Sequence, residues 1–244
     1  MFERADLLGV SVCKVTAAEV IDKILEYLKT DEGHIIVTAD ASAVVIAMDD
    51  PEFTEIIREA DIVTPDGAGI LLASKILGLG ITEKVSGVDL ARSLCRLSGE
   101  KGFSIYFLGA APGVAEEARQ KLLEQYPDMK VVGVHHGYFK PEEEASIVEE
   151  VKASGADILL VAMGIPAQEK LIKRNLDKLG VKAAIGVGGT FDVFSGRIER
   201  APVWMQRHGM EWLHRLCKNP KKISKVAMLP KFMMKVLRKR LLGG

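Results

Sequence analysis

The fold turns on Ala60-Asp61-Ile62-Val63-Thr64-Pro65-Asp66-Gly67-Ala68-Gly69-Ile70. Ile62 and Val63 read as the end of a buried strand, Thr64 to Gly67 as turn chemistry, and Ala68 through Leu77 as a packed helix. An acid where a strand gives way to a helix lies where open α/β sheets gather reactive groups, beside backbone N–H donors in the crevice beyond the strands' carboxyl ends. Asp66 is therefore the first candidate for a working carboxylate. The competing reading is an N-cap, its carboxylate accepting from the first free N–H groups of the helix. The stretch alone leaves both open.

Upstream, the spacing predicts a short strand near Gly9–Val12, a helix over about Ala17–Lys29 with Thr16 and Glu19 as a capping box, and a core strand His34–Thr38 that exits at Asp40. Two helices then lead to the strand before Asp66. Downstream, Lys84 precedes a helix opening at Ser86-Gly87-Val88-Asp89-Leu90 and running to about Leu97. Strands at Ser104–Leu108, Lys130–His135 and Ile158–Ala162 each lead into a helix, and a last strand, Ala183–Val187, runs into Gly188-Gly189-Thr190-Phe191-Asp192. Strand and helix alternating in this way predict an α/β fold: a mostly parallel, Rossmann-like sheet with helices on both faces. No internal repeat interrupts it. The expected division is a core over residues 1–200 and a basic helical appendage over 201–244.

Charge supports that division. The 244 residues are formally neutral, with 33 basic and 33 acidic side chains, yet residues 215–244 hold ten basic residues and no acid, leaving a body of 23 basic against 33 acidic. From Ser224 the apolar Val226, Leu229, Phe232, Met233, Val236 and Leu237 alternate with lysine and arginine in an amphipathic pattern. A nucleic-acid arm or a plain solvated helix would also be basic, but large aliphatic residues without stacking aromatics favour an anionic membrane surface over nucleic acid. Neither a signal peptide nor a spanning helix is visible, and three scattered cysteines form no disulfide framework. A cytoplasmic protein at the inner face of the membrane is expected.

The loops after the strands offer anion-binding chemistry. Gly109-x-x-Pro-Gly113 lets backbone N–H groups approach an anion at a helix start, though a plain tight turn is the commoner use of such a loop, and Gly188-Gly189-Thr190 invites the same two readings. The dinucleotide fingerprint is absent, which disfavours a nicotinamide oxidoreductase. Gln168 and Glu169 open the helix after Gly164-Ile165-Pro166, as ligands or as a helix start matched to its dipole. The histidines have no metal-ligand spacing and no Asp-x-Asp occurs, so no metal or cofactor is expected.

Taken in order, Thr38, Pro65-Asp66-Gly67, Ser86-Gly87-Val88-Asp89-Leu90, Leu108-Gly109-x-x-Pro-Gly113, His136-Gly137-Tyr138-Phe139, Gly164-x-Pro-x-Gln168-Glu169-Lys170, Gly188-Gly189-Thr190-Phe191-Asp192, Arg200-Ala201-Pro202 and Glu211-Trp212 with Arg215-Leu216 resemble the WecG/TagA/CpsF glycosyltransferase family. The resemblance covers nearly the whole chain and is nearest the teichoic-acid branch. It implies inverting, metal-independent transfer of N-acetylmannosamine from UDP to the 4-hydroxyl of a polyprenyl-diphosphate-linked N-acetylglucosamine. It makes Asp66 the general base and places Thr38, Asp40, Lys84, Gly109, Gly113, Tyr138, Gly164, Gln168, Thr190, Asp192, Arg215, Lys222 and Lys225 against substrate. Asp40 stands where the family commonly has Asn, and Lys84 where Arg is frequent. The motifs leave open another UDP-sugar donor, such as N-acetylmannosaminuronate or a hexose, and more remotely a non-catalytic nucleotide-binding protein at the membrane.

Overall fold

A computed structural model describes residues 2–207, 210–211, 213–214 and 223–242. In chain order its elements begin β1 (Arg4–Leu7), β2 (Val10–Cys13), α1 (Ala17–Tyr27), β3 (His34–Ala39), α2 (Ala41–Ala47), α3 (Pro51–Glu59), β4 (Ile62–Pro65), α4 (Ala68–Leu77) and α5 (Gly87–Lys101). They continue β5 (Ile105–Gly109), α6 (Val114–Gln125), β6 (Val131–His135), α7 (Glu144–Ala153), β7 (Ile158–Ala162), α8 (Ala167–Leu179), β8 (Ala183–Gly186), α9 (Thr190–Phe194), α10 (Val203–Arg207) and α11 (Ile223–Leu242). The main sheet has strand order β4-β3-β8-β7-β5-β6, and β3–β8, β8–β7, β7–β5 and β5–β6 all pair parallel. The α/β expectation holds.

Two compact units make up the chain. One comprises Met1–Ala17, Thr38–Ser86 and Glu199–Gly244; the other comprises Ala18–Val37 and Gly87–Ile198. In the second unit, every residue of β5, β7 and β8 is buried. Such strands read as unbroken apolar runs because both of their faces are covered. Phe107 on β5 stacks on Phe191 of α9 with ring centroids 4.6 Å apart, which ties the sheet to the helix after β8.

In the first unit, α11 packs on α2 and α4, with Phe232 and Val236 fully buried. Gly69 on α4 permits that approach, since a Cβ there would stand 3.1 Å from the side chain of Leu229. The antiparallel β1–β2 hairpin is held to the segment before β4 by Arg4, which donates to the carbonyls of Ala60 (2.6 Å) and Asp61 (2.9 Å).

The hairpin was not expected, since only its second strand carries a recognisable pattern. Its two-residue turn is Leu8-Gly9, both at positive φ (57° and 91°), a geometry that normally selects Asn-Gly. Leucine at the first position hides the turn. Helix α5 runs one turn past the expected Leu97, and α11 continues through an internal Pro230.

Candidate active site

β3 and β4 both end at an acid, and the first unit uses the two acids differently. Asp40 is extended (φ −95°, ψ −179°) and caps α2, its Oδ1 accepting from the backbone N–H of Ser42 at 2.8 Å and of Ala43 at 2.9 Å, and from the Ser42 hydroxyl. Asp66 stands one residue before the N-cap of α4, which is Gly67 at φ 88° with no side-chain cap hydrogen bond. Asp40 thus fills the N-cap role at the start of α2. Half-buried Asp66 is fixed through its backbone, its N–H donating to Ala39 O at 2.9 Å. Val85 N donates to Pro65 O at 2.9 Å and Thr64 Oγ1 to Val85 O at 3.1 Å, which locks the end of β4 to the segment carrying Lys84. Thr38 is buried in β3, two positions before Asp40.

A cap tolerates aspartate and asparagine alike. Asp40→Asn is expected to leave thermal stability nearly unchanged, whereas Asp40→Ala is expected to lose about 1 kcal/mol, read from denaturant melts of the two variants.

Lys84 shares a carboxylate with Arg200. Lys84 Nζ lies 3.6 Å from Glu211 Oε2 and Arg200 Nε 3.7 Å from Glu211 Oε1, with all three side chains only about a fifth exposed. Lys84 stands out in the sequence, whereas Arg200 and Glu211 do not, because nothing in their spacing brings them together. Arg215 and Lys222 lie outside the described residues, as does the side chain of Lys225.

In the second unit the loops after the strands are stitched to one another. Ala110 N donates to Ala162 O and Gly137 N to Ala110 O, each at 2.8 Å. Gly109, at φ 137°, is demanded by packing: a Cβ there would lie 2.5 Å from the Ala162 backbone. Gly113 is the N-cap of α6 at φ 81°. Gln168 is fully enclosed. Its Oε1 accepts from the N–H of Gly164 and of Gly188, both at 3.0 Å, and its Nε2 donates to Glu169 Oε1 at 2.7 Å. Both ends of its amide thus serve the protein, and Gln168 shapes two loops.

Thr190 is likewise buried, its hydroxyl donating to Val187 O at 2.6 Å. Asp192 accepts through its backbone carbonyl from Ile198 N at 3.0 Å and lies close to the Arg197 guanidinium, whose own partner is Glu117 at 2.6 and 2.8 Å. Tyr138 is 75% exposed. Gly164 is held at φ 80°.

Among the described residues, no three His, Cys, Asp or Glu side chains gather as they would around a metal ion. Cys95 is no nucleophile: burial pushes its thiol up to about 12, so it stays protonated at neutral pH. No helix among the described residues is long and apolar enough to cross a membrane.

Residues 5–243 match the glycosyl transferase WecG/TagA/CpsF family. The chain belongs to that family. An N-acetylglucosaminyldiphosphoundecaprenol N-acetyl-beta-D-mannosaminyltransferase of Bacillus spizizenii (strain ATCC 23059 / NRRL B-14472 / W23) is 34% identical over 87% of this chain and 82% of its own length. The protein of the same name from Bacillus subtilis (strain 168) is 29% identical over the same shares of both chains. A solved nicotinate phosphoribosyltransferase from Vibrio cholerae aligns over 76% of this chain and 49% of its own at 14% identity, but with a TM-score of 0.23 that similarity carries no argument.

Proposed function

We propose that this WecG/TagA/CpsF member transfers N-acetylmannosamine from UDP to the 4-hydroxyl of N-acetylglucosamine on an undecaprenyl diphosphate carrier, inverting the donor carbon. One observation carries the reading of substrates: two relatives covering 87% of the chain bear the name of that transferase. The chemistry is assigned to Asp66. Its carboxylate takes the proton of the acceptor hydroxyl as that oxygen bonds to the sugar's anomeric carbon and the bond to UDP breaks, the demand made of the base in an inverting glycosidase. The departing diphosphate gains negative charge. Lys84 and Arg200, already gathered around Glu211, are the cations assigned to it, and Gln168 is assigned to hold the Gly164 and Gly188 loops in shape.

The acceptor's polyprenyl chain remains in the bilayer, and residues 201–244 are assigned the task of bringing the protein to it. Support for that assignment is the run of ten basic residues without an acid from 215 to 244. The protein then works peripherally, at a membrane surface it does not cross.

A product assay tests the reading. Incubated with UDP-N-acetylmannosamine and a short-chain diphosphate-linked N-acetylglucosamine, the protein is expected to yield the disaccharide lipid and UDP, with turnover unchanged by a chelator. A panel of UDP-sugars on which N-acetylmannosaminuronate or a hexose is transferred faster would reassign the donor and leave the reaction class standing.

A further inference from the structure

We propose that the tip of the β1–β2 hairpin and the last turns of α11 together form a docking site for the headgroup of an anionic phospholipid in the bilayer. A shallow cavity of about 310 Å³, wide open to solvent, is lined by Leu8, Met48, Lys235, Arg238, Lys239 and Leu242. Its helical members recur at positions i, i+3, i+4 and i+7 and so share one face of α11. Three cations and three apolar side chains match one amphiphile: a phosphate on the charged wall, with the first carbons of its lipid against the leucines and methionine.

Lys239 is already bridged to Asp6 at 2.5 Å, so Lys235 and Arg238 carry the uncompensated charge, and that bridge fastens the hairpin to the helix end. Next to the cavity, Met234, Leu237 and Leu241 form an exposed apolar stripe at 65%, 49% and 82% accessibility, three and four residues apart along α11. A stripe of this kind lies in the interfacial layer while neighbouring lysines and arginines meet the headgroups.

The hairpin supplies an independent observation. Leu8 sits at φ 57°, where asparagine or glycine would rest without strain, and half-buried Leu8 is the tip's contribution to the cavity wall. An apolar side chain kept in a turn that disfavours it is accounted for by a surface that needs it. The occupant is a bilayer lipid and not the reacting acceptor. The start of α4, next to Asp66, rests on Leu229, and the cavity residues lie roughly 9–20 Å further along α11 at 1.5 Å per residue.

This inference deepens the membrane assignment above and rests on it, and the test separates the two. Full-length protein is floated with phosphatidylcholine vesicles, with and without phosphatidylglycerol, alongside Lys235→Gln/Arg238→Gln, the charge-matched Lys231→Gln/Arg240→Gln outside the cavity, and Leu8→Asn. Wild type is expected to bind only the anionic vesicles. The cavity pair is expected to lose about tenfold more affinity than the matched pair, since both lose the same diffuse attraction and only the first loses the headgroup contacts. Leu8→Asn is expected to melt no lower than wild type, because asparagine suits the turn, and to bind anionic vesicles several-fold less tightly. Equal losses from the two pairs, or a Leu8→Asn protein that melts lower and binds as before, would overturn the headgroup site and leave the tail's attraction intact. Wild type that ignores anionic vesicles would overturn both.

Discussion

Asp66→Asn is expected to lower turnover by about 10²–10⁴-fold while leaving UDP affinity within a few fold, the range that follows loss of a positioned general base. Asparagine has the same shape and cannot take the proton. The backbone contacts that hold this turn, Asp66 N to Ala39 O and Val85 N to Pro65 O, are indifferent to the change, so the fold should survive it. Asp40→Asn is the matched control, because it alters the other strand-end acid, whose Oδ1 is taken up by two N–H groups at the start of α2. Turnover of the control should stay within a few fold of wild type. Single-turnover product formation and UDP titration, run on both variants beside a thermal melt, separate the possibilities. An Asp66→Asn enzyme that still turns over at the wild-type rate removes the base assignment. One that melts far below wild type reassigns Asp66 to the turn.

Much of this arrangement was legible in the sequence for a definite reason. β7 and β8 are covered on both faces, and that condition writes itself as an unbroken apolar run, so their positions and their parallel pairing could be read directly. Asp66 stood out because Pro65 and Gly67 flank it. The less legible features depend on partners remote in the chain. Gly109 offered either a tight turn or an anion-binding loop, and the constraint the fold places on it is the backbone of Ala162 on the neighbouring strand. Glu211 gathers Lys84 and Arg200 across a separation no local pattern spans. The β1–β2 hairpin escaped notice because Leu8 occupies a turn position whose usual residues are the ones turns are recognised by. In each case a tertiary contact set the residue's role.

Gln168 is the strongest case of that kind, and its substitution carries the second large effect. Gln168→Leu keeps the volume and removes every polar contact. The N–H groups of Gly164 and Gly188 lose their acceptor, and Glu169 Oε1 loses a donor at 2.7 Å. At about 1–3 kcal/mol for each polar group left without its partner, discounted because the two glycines are only half-buried, the expected loss is roughly 2–5 kcal/mol. For a chain of this size that lowers the melting temperature by about 5–15 °C.

Gln168→Glu separates a pinned amide from simple space-filling. The glutamate still offers an oxygen to both glycines, but it sets a second carboxyl beside that of Glu169 in a site with no exposure. Two such groups cannot both ionise, so one of them holds its proton in the folded protein and its folded pKa rises above the unfolded value. Stability contributed by a raised pKa is present in acid and lost as pH rises. The deficit relative to wild type should therefore widen from about pH 4 upward, where a free glutamate ionises. Gln168→Leu, which adds no second carboxyl and only removes a donor from Glu169, should show a deficit that widens less over the same range. Melts of the three proteins across pH decide the matter: a Gln168→Glu curve parallel to that of wild type would mean that the amide does not face Glu169 and that the Gly164 and Gly188 loops are held by something else.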